Sequence, residues 1–164
     1  MLSRKSRRGF TLIELLTVIA IIGILSSIVM VSLTEARTRA RTAKSLTSLE
    51  QIRTSLEAYY IFSGSYPVSN SWQGYCSAWG GSLGANWIPE LQTYFPNGLP
   101  TDPRQLPNAP CFNNQTQFIY ASNGADYKLI SQNAESIVGV RQNLIDPMRP
   151  SVSFGYWSPG ALGW

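Results

Sequence analysis

The sequence predicts an α+β protein in which one long N-terminal helix packs on a small antiparallel β-sheet. An uncharged apolar run near the N-terminus continues into a segment with helical periodicity, and no Gly or Pro lies between residues 24 and 63. A segment rich in Gly, Pro and Asn then ends the helix, and short strand-like runs follow it. A helix and a small sheet together provide the two layers that a shared core requires.

The basic residues are concentrated at the N-terminus. Four of the 13 Lys and Arg residues lie within the first eight positions, so the remaining nine balance the nine acidic residues. The net charge of +4 therefore belongs to a short leader and not to a nucleic-acid-binding face. Histidine is absent, which excludes His-dependent catalysis and His metal ligands. We expect no enzymatic activity and no cofactor.

The apolar run Leu15–Leu33 contains 19 residues without a charge. As a helix it is about 28 Å long, close to the hydrocarbon core of a bilayer at about 30 Å. The basic residues precede it, so the N-terminus is expected in the cytoplasm and the rest of the chain outside the inner membrane. Two simpler alternatives are a secretory signal peptide, whose apolar region is normally shorter, and a plain signal anchor.

Neither alternative explains Glu14, a carboxylate in the first turn of the apolar helix. At mid-bilayer such a charge costs about 2.5–3.5 kcal/mol, so it indicates a function. Suppose that the chain is cut between Gly9 and Phe10. The new α-ammonium then lies four residues before Glu14 on the same helix face. Glu14 of one subunit could pair with the free amine of the next and fix the register of a helical bundle.

The run RRGFTLIELLTVIAIIGIL, at residues 7–25, strongly resembles the class III signal of type IV prepilins and type II secretion pseudopilins. The resemblance implies cleavage after Gly9 by a prepilin peptidase, N-methylation of Phe10, and a role for Glu14 in assembly and methylation. It implies a structural subunit of a filament made of copies of itself or related pilins. An inner-membrane assembly platform and membrane lipid are further implied partners. Many relatives carry a late proline where this chain has Val31.

The predicted organisation has four parts: a leader at 1–9, a hydrophobic transmembrane and assembly helix at 10–33, an amphipathic helix at 34–62 and a globular head at 63–164. The two helical parts are predicted to form one helix from Phe10 to about Phe62, because nothing in them signals a stop. A membrane helix, a hinge and a separate soluble helix are the alternative. Apolar residues recur every three or four positions at Ala36, Ala40, Ala43, Leu46, Leu49, Ile52, Leu56 and Tyr59.

A basic cluster follows the apolar run at Arg37, Arg39, Arg41 and Lys44. A solvated face, or contact with lipid headgroups, is favoured over nucleic-acid binding there. The alternative function is a minor pilin that binds DNA or a surface ligand, in competence or adhesion. The choice between a pilus, a secretion pseudopilus and a competence filament stays open.

Strands are predicted in the C-terminal half of the head at Gln117–Ser122, Tyr127–Gln132 and Val152–Trp157. The turn Asn123–Asp126 between the first two predicts a hairpin, and Ile137–Leu144 is ambiguous. Short helical turns are predicted at Trp87–Tyr94, where Ile88, Leu91 and Tyr94 would share a face. The sheet is expected to pack on the helix half Ala43–Phe62.

The two cysteines, Cys76 and Cys111, would form one disulfide in an extracytoplasmic head and remain buried thiols in a cytosolic one. The predicted export of the head favours the disulfide, which would stabilise it by about 3.8 kcal/mol. The acidic residues of the head are scattered, so no calcium site is predicted. Aromatic packing in the core is favoured over carbohydrate contacts for the tryptophans at Trp72, Trp79, Trp87, Trp157 and Trp164.

Overall fold

The structure is a computed structural model, and it describes residues 10–69, 71–76, 84–105 and 116–164. One helix, α1, spans Leu12–Ser63, and four strands form a single sheet. The strands are β1 (Gln73–Gly74), β2 (Gln117–Ser122), β3 (Tyr127–Gln132) and β4 (Phe154–Trp157). The chain divides into two compact units, the first ending at Arg37 and the second running from Thr38 to Trp164. The predicted α+β class is confirmed.

Helix α1 is continuous over 52 residues, as predicted, and its backbone is helical at Val31. It ends where Gly64 adopts a left-handed conformation, with φ at +73°. The Gly64 N–H donates to the carbonyl of Tyr60 at 2.8 Å, which satisfies one of the last carbonyls of the helix. Glycine adopts this conformation without the steric cost that a Cβ would add.

The helix face that packs on the head differs in part from the prediction. Its buried positions are Thr42, Ser45, Ser48, Leu49, Ile52 and Leu56. The apolar stripe from Leu49 to Leu56 was predicted correctly, but Ala36, Ala40 and Ala43 are exposed. The part of the buried face that precedes Leu49, called the lower part here, is polar, and Thr42 and Ser45 in it form hydrogen bonds to the head. Apolar periodicity cannot locate such a face.

The sheet is antiparallel throughout, in the order β1-β2-β3-β4. Strands β2 and β3 pair from Gln117 with Gln132 to Ser122 with Tyr127, so the predicted hairpin is confirmed. The Asn123 side chain stabilises the turn, because its Oδ1 accepts hydrogen bonds from the backbone N–H groups of Ala125 and Asp126.

The other predictions for the head were met in part. Strand β4 begins two residues later than predicted, at Phe154. The two-residue β1 was not predicted, because it is too short to show alternation. The ambiguous stretch Ile137–Leu144 contains no strand and ends in a 3-10 turn at Gln142–Leu144. In the stretch Trp87–Tyr94, where helical turns were predicted, a 3-10 turn occurs at Pro89–Leu91. A second 3-10 turn, at Gly84–Asn86, precedes this stretch and was not predicted.

The core lies between α1, one face of the sheet and the 3-10 turns. It is formed by Leu49, Ile52, Leu56, Trp87, Ile88, Leu91, Phe118, Tyr120, Leu129 and Phe154, each with at most 1% of its surface exposed. Burial of each large apolar side chain contributes about 1.5–3 kcal/mol. Tyr94 was predicted to share the face of Ile88 and Leu91, but it is exposed. The core therefore confirms that the sheet packs on the helix half Ala43–Phe62.

Candidate functional site

The first turn of α1 is closed by reciprocal hydrogen bonds between Thr11 and Glu14. The Glu14 carboxylate accepts hydrogen bonds from the Thr11 backbone N–H at 2.8 Å and from the Thr11 hydroxyl at 2.7 Å. In return, the Glu14 backbone N–H donates to the Thr11 hydroxyl oxygen at 3.3 Å. This is a capping box, which satisfies two backbone donors at the helix start. The Thr-x-x-Glu spacing in the sequence is the signal for it.

The apolar part of α1 is exposed wherever the structure describes its side chains. The described large apolar side chains between Leu12 and Leu33 have between 47% and 86% of their surface exposed. The helix contains an 18-residue window with a mean hydropathy of 2.6, none of it buried within the structure. By length and composition this helix can cross a membrane. Such a large apolar surface requires lipid or other protein to cover it.

The predicted processing residues fall at the edge of the described chain. Gly9 lies outside the described residues. Phe10 directly precedes the capping box and has 86% of its surface exposed. Cleavage after Gly9, methylation of Phe10 and the assembly role of Glu14 stay predictions.

In the second unit, Asp102 joins the helix, the sheet and a loop. It has 1% of its surface exposed, and its Oδ2 accepts hydrogen bonds from the hydroxyls of Ser45 at 3.0 Å and Ser131 at 3.2 Å. The Arg104 guanidinium pairs with its Oδ1 at 3.1 Å. Ser45 belongs to α1 and Ser131 to β3, so one carboxylate fixes the lower helix face against the sheet. In the sequence Asp102 lies between Thr101 and Pro103, and nothing around it indicates that this acid is buried.

Replacing Asp102 with asparagine is expected to destabilise the folded head by about 1–3 kcal/mol. Asparagine keeps one carbonyl oxygen for Ser45 or Ser131 but loses the charge that pairs with Arg104, and hydrogen bonds to charged groups contribute about this much. Thermal unfolding of the full chain, followed by tryptophan fluorescence, measures the change. An unfolding temperature equal to that of the wild type would contradict the role of Asp102.

The basic cluster after the apolar run is partly engaged within the chain. Arg41 pairs with Glu135 at 3.5 Å, and Arg104 also approaches Glu135, at 3.6 Å. Both Arg41 and Glu135 keep nearly half of their side-chain surface exposed. An exposed pair of this kind contributes at most about 1 kcal/mol. Arg41 therefore contributes a weak ion pair between α1 and the head and is not only a solvated charge.

Glu57 is a second polar anchor between α1 and the head. Its two carboxylate oxygens accept hydrogen bonds from the hydroxyls of Tyr66 at 2.9 Å and Tyr127 at 3.1 Å. Burial and the hydrogen bond to Glu57 raise the pKa of Tyr66 to about 12, and burial and Glu57 also raise the pKa of Tyr127. Both tyrosines therefore stay protonated donors to Glu57 at physiological pH.

A buried charge cluster lies on the sheet face opposite α1. Lys128 of β3 and Asp146 pair at 2.8 Å, and neither side chain has any exposed surface. Arg149 pairs with the other oxygen of Asp146 at 3.0 Å. Lys128 also donates to the main-chain oxygen of Trp164 at 2.7 Å. The sequence shows Lys128 only as a polar residue in a strand, and no spacing rule links it to Asp146.

Cys76 is buried, with 3% of its surface exposed. Gln117 accepts a hydrogen bond from the Cys76 backbone N–H through its side-chain oxygen at 3.2 Å, which fixes the backbone there. Cys111 lies outside the described residues, so the Cys76–Cys111 disulfide stays a prediction. No group of His, Cys, Asp and Glu that could hold a metal ion was found within the described parts of the chain.

One family model and several curated proteins match parts of this chain. The Prokaryotic N-terminal methylation motif matches residues 4–30. Type IV major pilin protein PilE of Neisseria gonorrhoeae is 30% identical over 95 residues, which are 58% of this chain and 54% of that protein. A fimbrial protein of Neisseria meningitidis is 33% identical over 72 residues, covering 44% and 42% of the two chains.

Type II secretion system core protein G of Klebsiella michiganensis is 35% identical over 66 residues, which are 40% of this chain and 46% of that protein. The chain spans about half the length of the curated relatives it matches. No solved structure matches it.

The exposed apolar helix and the methylation motif fit a membrane-anchored, pilin-like protein. The relatives are named both as pilins and as a secretion core protein. The motif and these relatives together support the type IV pilin and type II secretion pseudopilin family for this chain.

Proposed function

We propose that this chain is a structural subunit of a type IV pilus-like or type II secretion-like filament. A prepilin peptidase removes the leader after Gly9, and Phe10 becomes the N-methylated terminus. The subunit then polymerises through α1 with copies of itself or related pilins. One observation carries the proposal: the exposed apolar half of α1 has a single charge in its first turn, on Glu14, and lies largely within the methylation motif matched at residues 4–30.

Before assembly, membrane lipid covers the apolar part of α1. The basic leader keeps the N-terminus in the cytoplasm, so the head folds on the other side of the inner membrane. An inner-membrane assembly platform then transfers the subunit into the filament, where neighbouring helices replace the lipid. The same apolar surface serves both stages, because lipid tails and apolar side chains solvate it equally well.

The capping box suggests how Glu14 acts in assembly. Both of its hydrogen bonds from Thr11 end on the same carboxylate oxygen, Oε2. They turn the carboxylate toward the N-terminal end of α1 and leave Oε1 for a further donor. In the filament, that donor is the N-methylammonium group on Phe10 of a neighbouring subunit. In a setting of low dielectric constant, an unpaired charge is costly, so this pair fixes the axial register.

The processing step makes a direct prediction. Protein purified from the membrane fraction is expected to begin at Phe10 and to carry the additional mass of one methyl group. Intact-mass spectrometry with N-terminal sequencing measures both features. The variant Gly9→Leu is the control and should retain the leader, because the residue before the cut is altered while α1 is unchanged. A wild-type protein that begins at Met1 would overturn the proposal and leave a plain membrane anchor.

A further inference from the structure

A polar cavity of about 360 Å³ lies in the second unit between α1 and strand β4. Arg53 of α1 and Tyr156 of β4 line it, together with Arg141 and Asn143 from the connection that precedes β4. Burial and the hydrogen bond to Glu50 raise the pKa of Tyr156, whereas the positive charges of Arg53 and Arg141 lower it. Both guanidinium groups therefore lie near the Tyr156 hydroxyl.

The glutamate of this cavity is already neutralised within the chain. Oε1 of Glu50 accepts a hydrogen bond from the Arg53 guanidinium at 3.2 Å, and its Oε2 accepts one from the Tyr156 hydroxyl at 3.0 Å. The Arg53 guanidinium also lies over the Tyr156 ring, 4.7 Å from its centroid. These contacts fix three lining side chains to one another in advance, which lowers the entropic cost of binding a partner.

Arg141 carries the charge that remains in the cavity. Its side chain is exposed and has no hydrogen bond or ion pair with any described residue. Two arginines and one glutamate in the lining leave one positive charge uncompensated. The side-chain amide of Asn143 supplies a further hydrogen-bond donor there. A guanidinium binds a carboxylate through two parallel hydrogen bonds, so the cavity suits a single carboxylate.

The chain itself carries one exposed carboxylate that fits this requirement. All nine acidic residues of the sequence lie within the described ranges. Among them, Glu90 is the one whose side chain has no hydrogen bond or ion pair with a described residue. It is exposed in the 3-10 turn Pro89–Leu91. Burial raises the pKa of Tyr120 in β2, and the charge of Glu90 raises it further, so Glu90 lies near β2.

The cavity and Glu90 lie on different sides of the head, because β3 separates β2 from β4 in the sheet. A contact between them joins two copies and leaves one cavity and one carboxylate available at the ends. Head-to-tail contacts of this kind repeat into rings or open helical filaments. We propose that the cavity around Arg141 binds Glu90 of a neighbouring copy in the filament, an inference that rests on the proposed function. The pair sets which flanks of two heads meet.

The test places an amine in the cavity of the assembled protein. In Arg141→Lys, a carbodiimide applied to sheared filaments should join the Glu90 carboxylate to the introduced amine as an amide, and the carbodiimide takes up the water. We expect a ladder of covalent multimers on denaturing gels, with the two linked peptides identified by mass spectrometry. Wild-type filaments should not give this link, because the guanidinium of Arg141 does not couple. The matched control, Glu90→Gln together with Arg141→Lys, should lose it.

Exchange of the two charges gives a second measurement. Glu90→Arg and Arg141→Glu should each lower filament yield about fivefold or more, because like charges then face each other, and the double variant should recover most of the yield. Lys44→Glu is the control, since Lys44 is exposed and lies outside the cavity lining. Combined with Glu90→Arg, it should leave the yield as low as Glu90→Arg alone.

The outcomes separate this contact from the proposed function. Filaments that form normally, but in which Arg141→Lys gives no ladder or links to a different carboxylate, would overturn the contact alone. Equal yields from the double variant and from either single variant would also overturn it. A wild-type chain that forms no filaments would overturn the proposed function and this contact with it.

Discussion

Replacing Glu14 with alanine is expected to leave membrane insertion intact and to reduce filament yield more than tenfold. Insertion should not suffer, because the change removes a charge that is costly in a bilayer. Assembly should suffer for two reasons. The capping box with Thr11 is lost, which costs about 1 kcal/mol of helix stability. The N-methylammonium on Phe10 of the neighbouring subunit also loses its counter-charge, and breaking a buried ion pair costs about 3–5 kcal/mol.

Two further variants separate the cap from the charge. Glu14→Gln can still close a capping box with Thr11, because Gln also serves at this position, but it carries no charge. If the charge sets the register, Glu14→Gln should assemble as poorly as Glu14→Ala. Thr11→Val weakens the cap and keeps the charge, so its filament yield should stay within a few fold of the wild type.

The measurement compares sheared filaments with the subunit pool in the membrane by immunoblot. Intact mass from the same membranes shows whether each variant was cleaved and methylated. A normal filament yield from Glu14→Gln would show that the carboxylate charge of Glu14 is not needed for assembly. A normal yield from Glu14→Gln together with a low yield from Thr11→Val would assign the role of Glu14 to the cap alone.

The sequence predicted the parts of the fold that depend on local patterns. The absence of Gly and Pro between residues 24 and 63 predicted the continuous helix, and the Asn-Gly turn predicted the hairpin between β2 and β3. Both signals act over a few residues and need no partner. The strand β1 escaped prediction because two residues cannot show alternation, and its pairing with β2 depends on contacts across more than 40 residues.

The polar anchors could not be predicted, because each joins residues far apart in the sequence. Asp102 lies 57 residues from Ser45 and 29 from Ser131. In the sequence it is one of several scattered acids, and only the fold shows that it is buried. Apolar periodicity likewise failed to locate the polar part of the buried helix face. Ser45 is buried there, at a position where a periodic pattern would require an apolar residue. By contrast, Glu14 could be singled out from the sequence, because the free-energy cost of its charge depends only on the apolar residues next to it.

Replacing Asp146 with alanine is expected to destabilise the head by about 3–5 kcal/mol, since it leaves the Lys128 ammonium buried without its carboxylate. For a unit of this size the unfolding temperature should fall by about 10–20 °C. The comparison variant is Arg41→Ala, which breaks a half-exposed pair with Glu135 and should cost less than about 1 kcal/mol. Thermal unfolding in nanodiscs, followed by near-ultraviolet circular dichroism, measures both.

The double variant Lys128→Met with Asp146→Leu tests why the single change is harmful. Apolar residues of similar volume remove both charges at once, and such replacements are often neutral or stabilising. Arg149 keeps 31% of its side-chain surface exposed, so it can turn to water when Asp146 is lost. The double variant should therefore unfold at a higher temperature than Asp146→Ala. If both variants unfold at the same temperature, the loss of stability comes from the hydrogen bonds that Asp146 accepts from the Met148 backbone and from Arg149, and not from an unpaired Lys128.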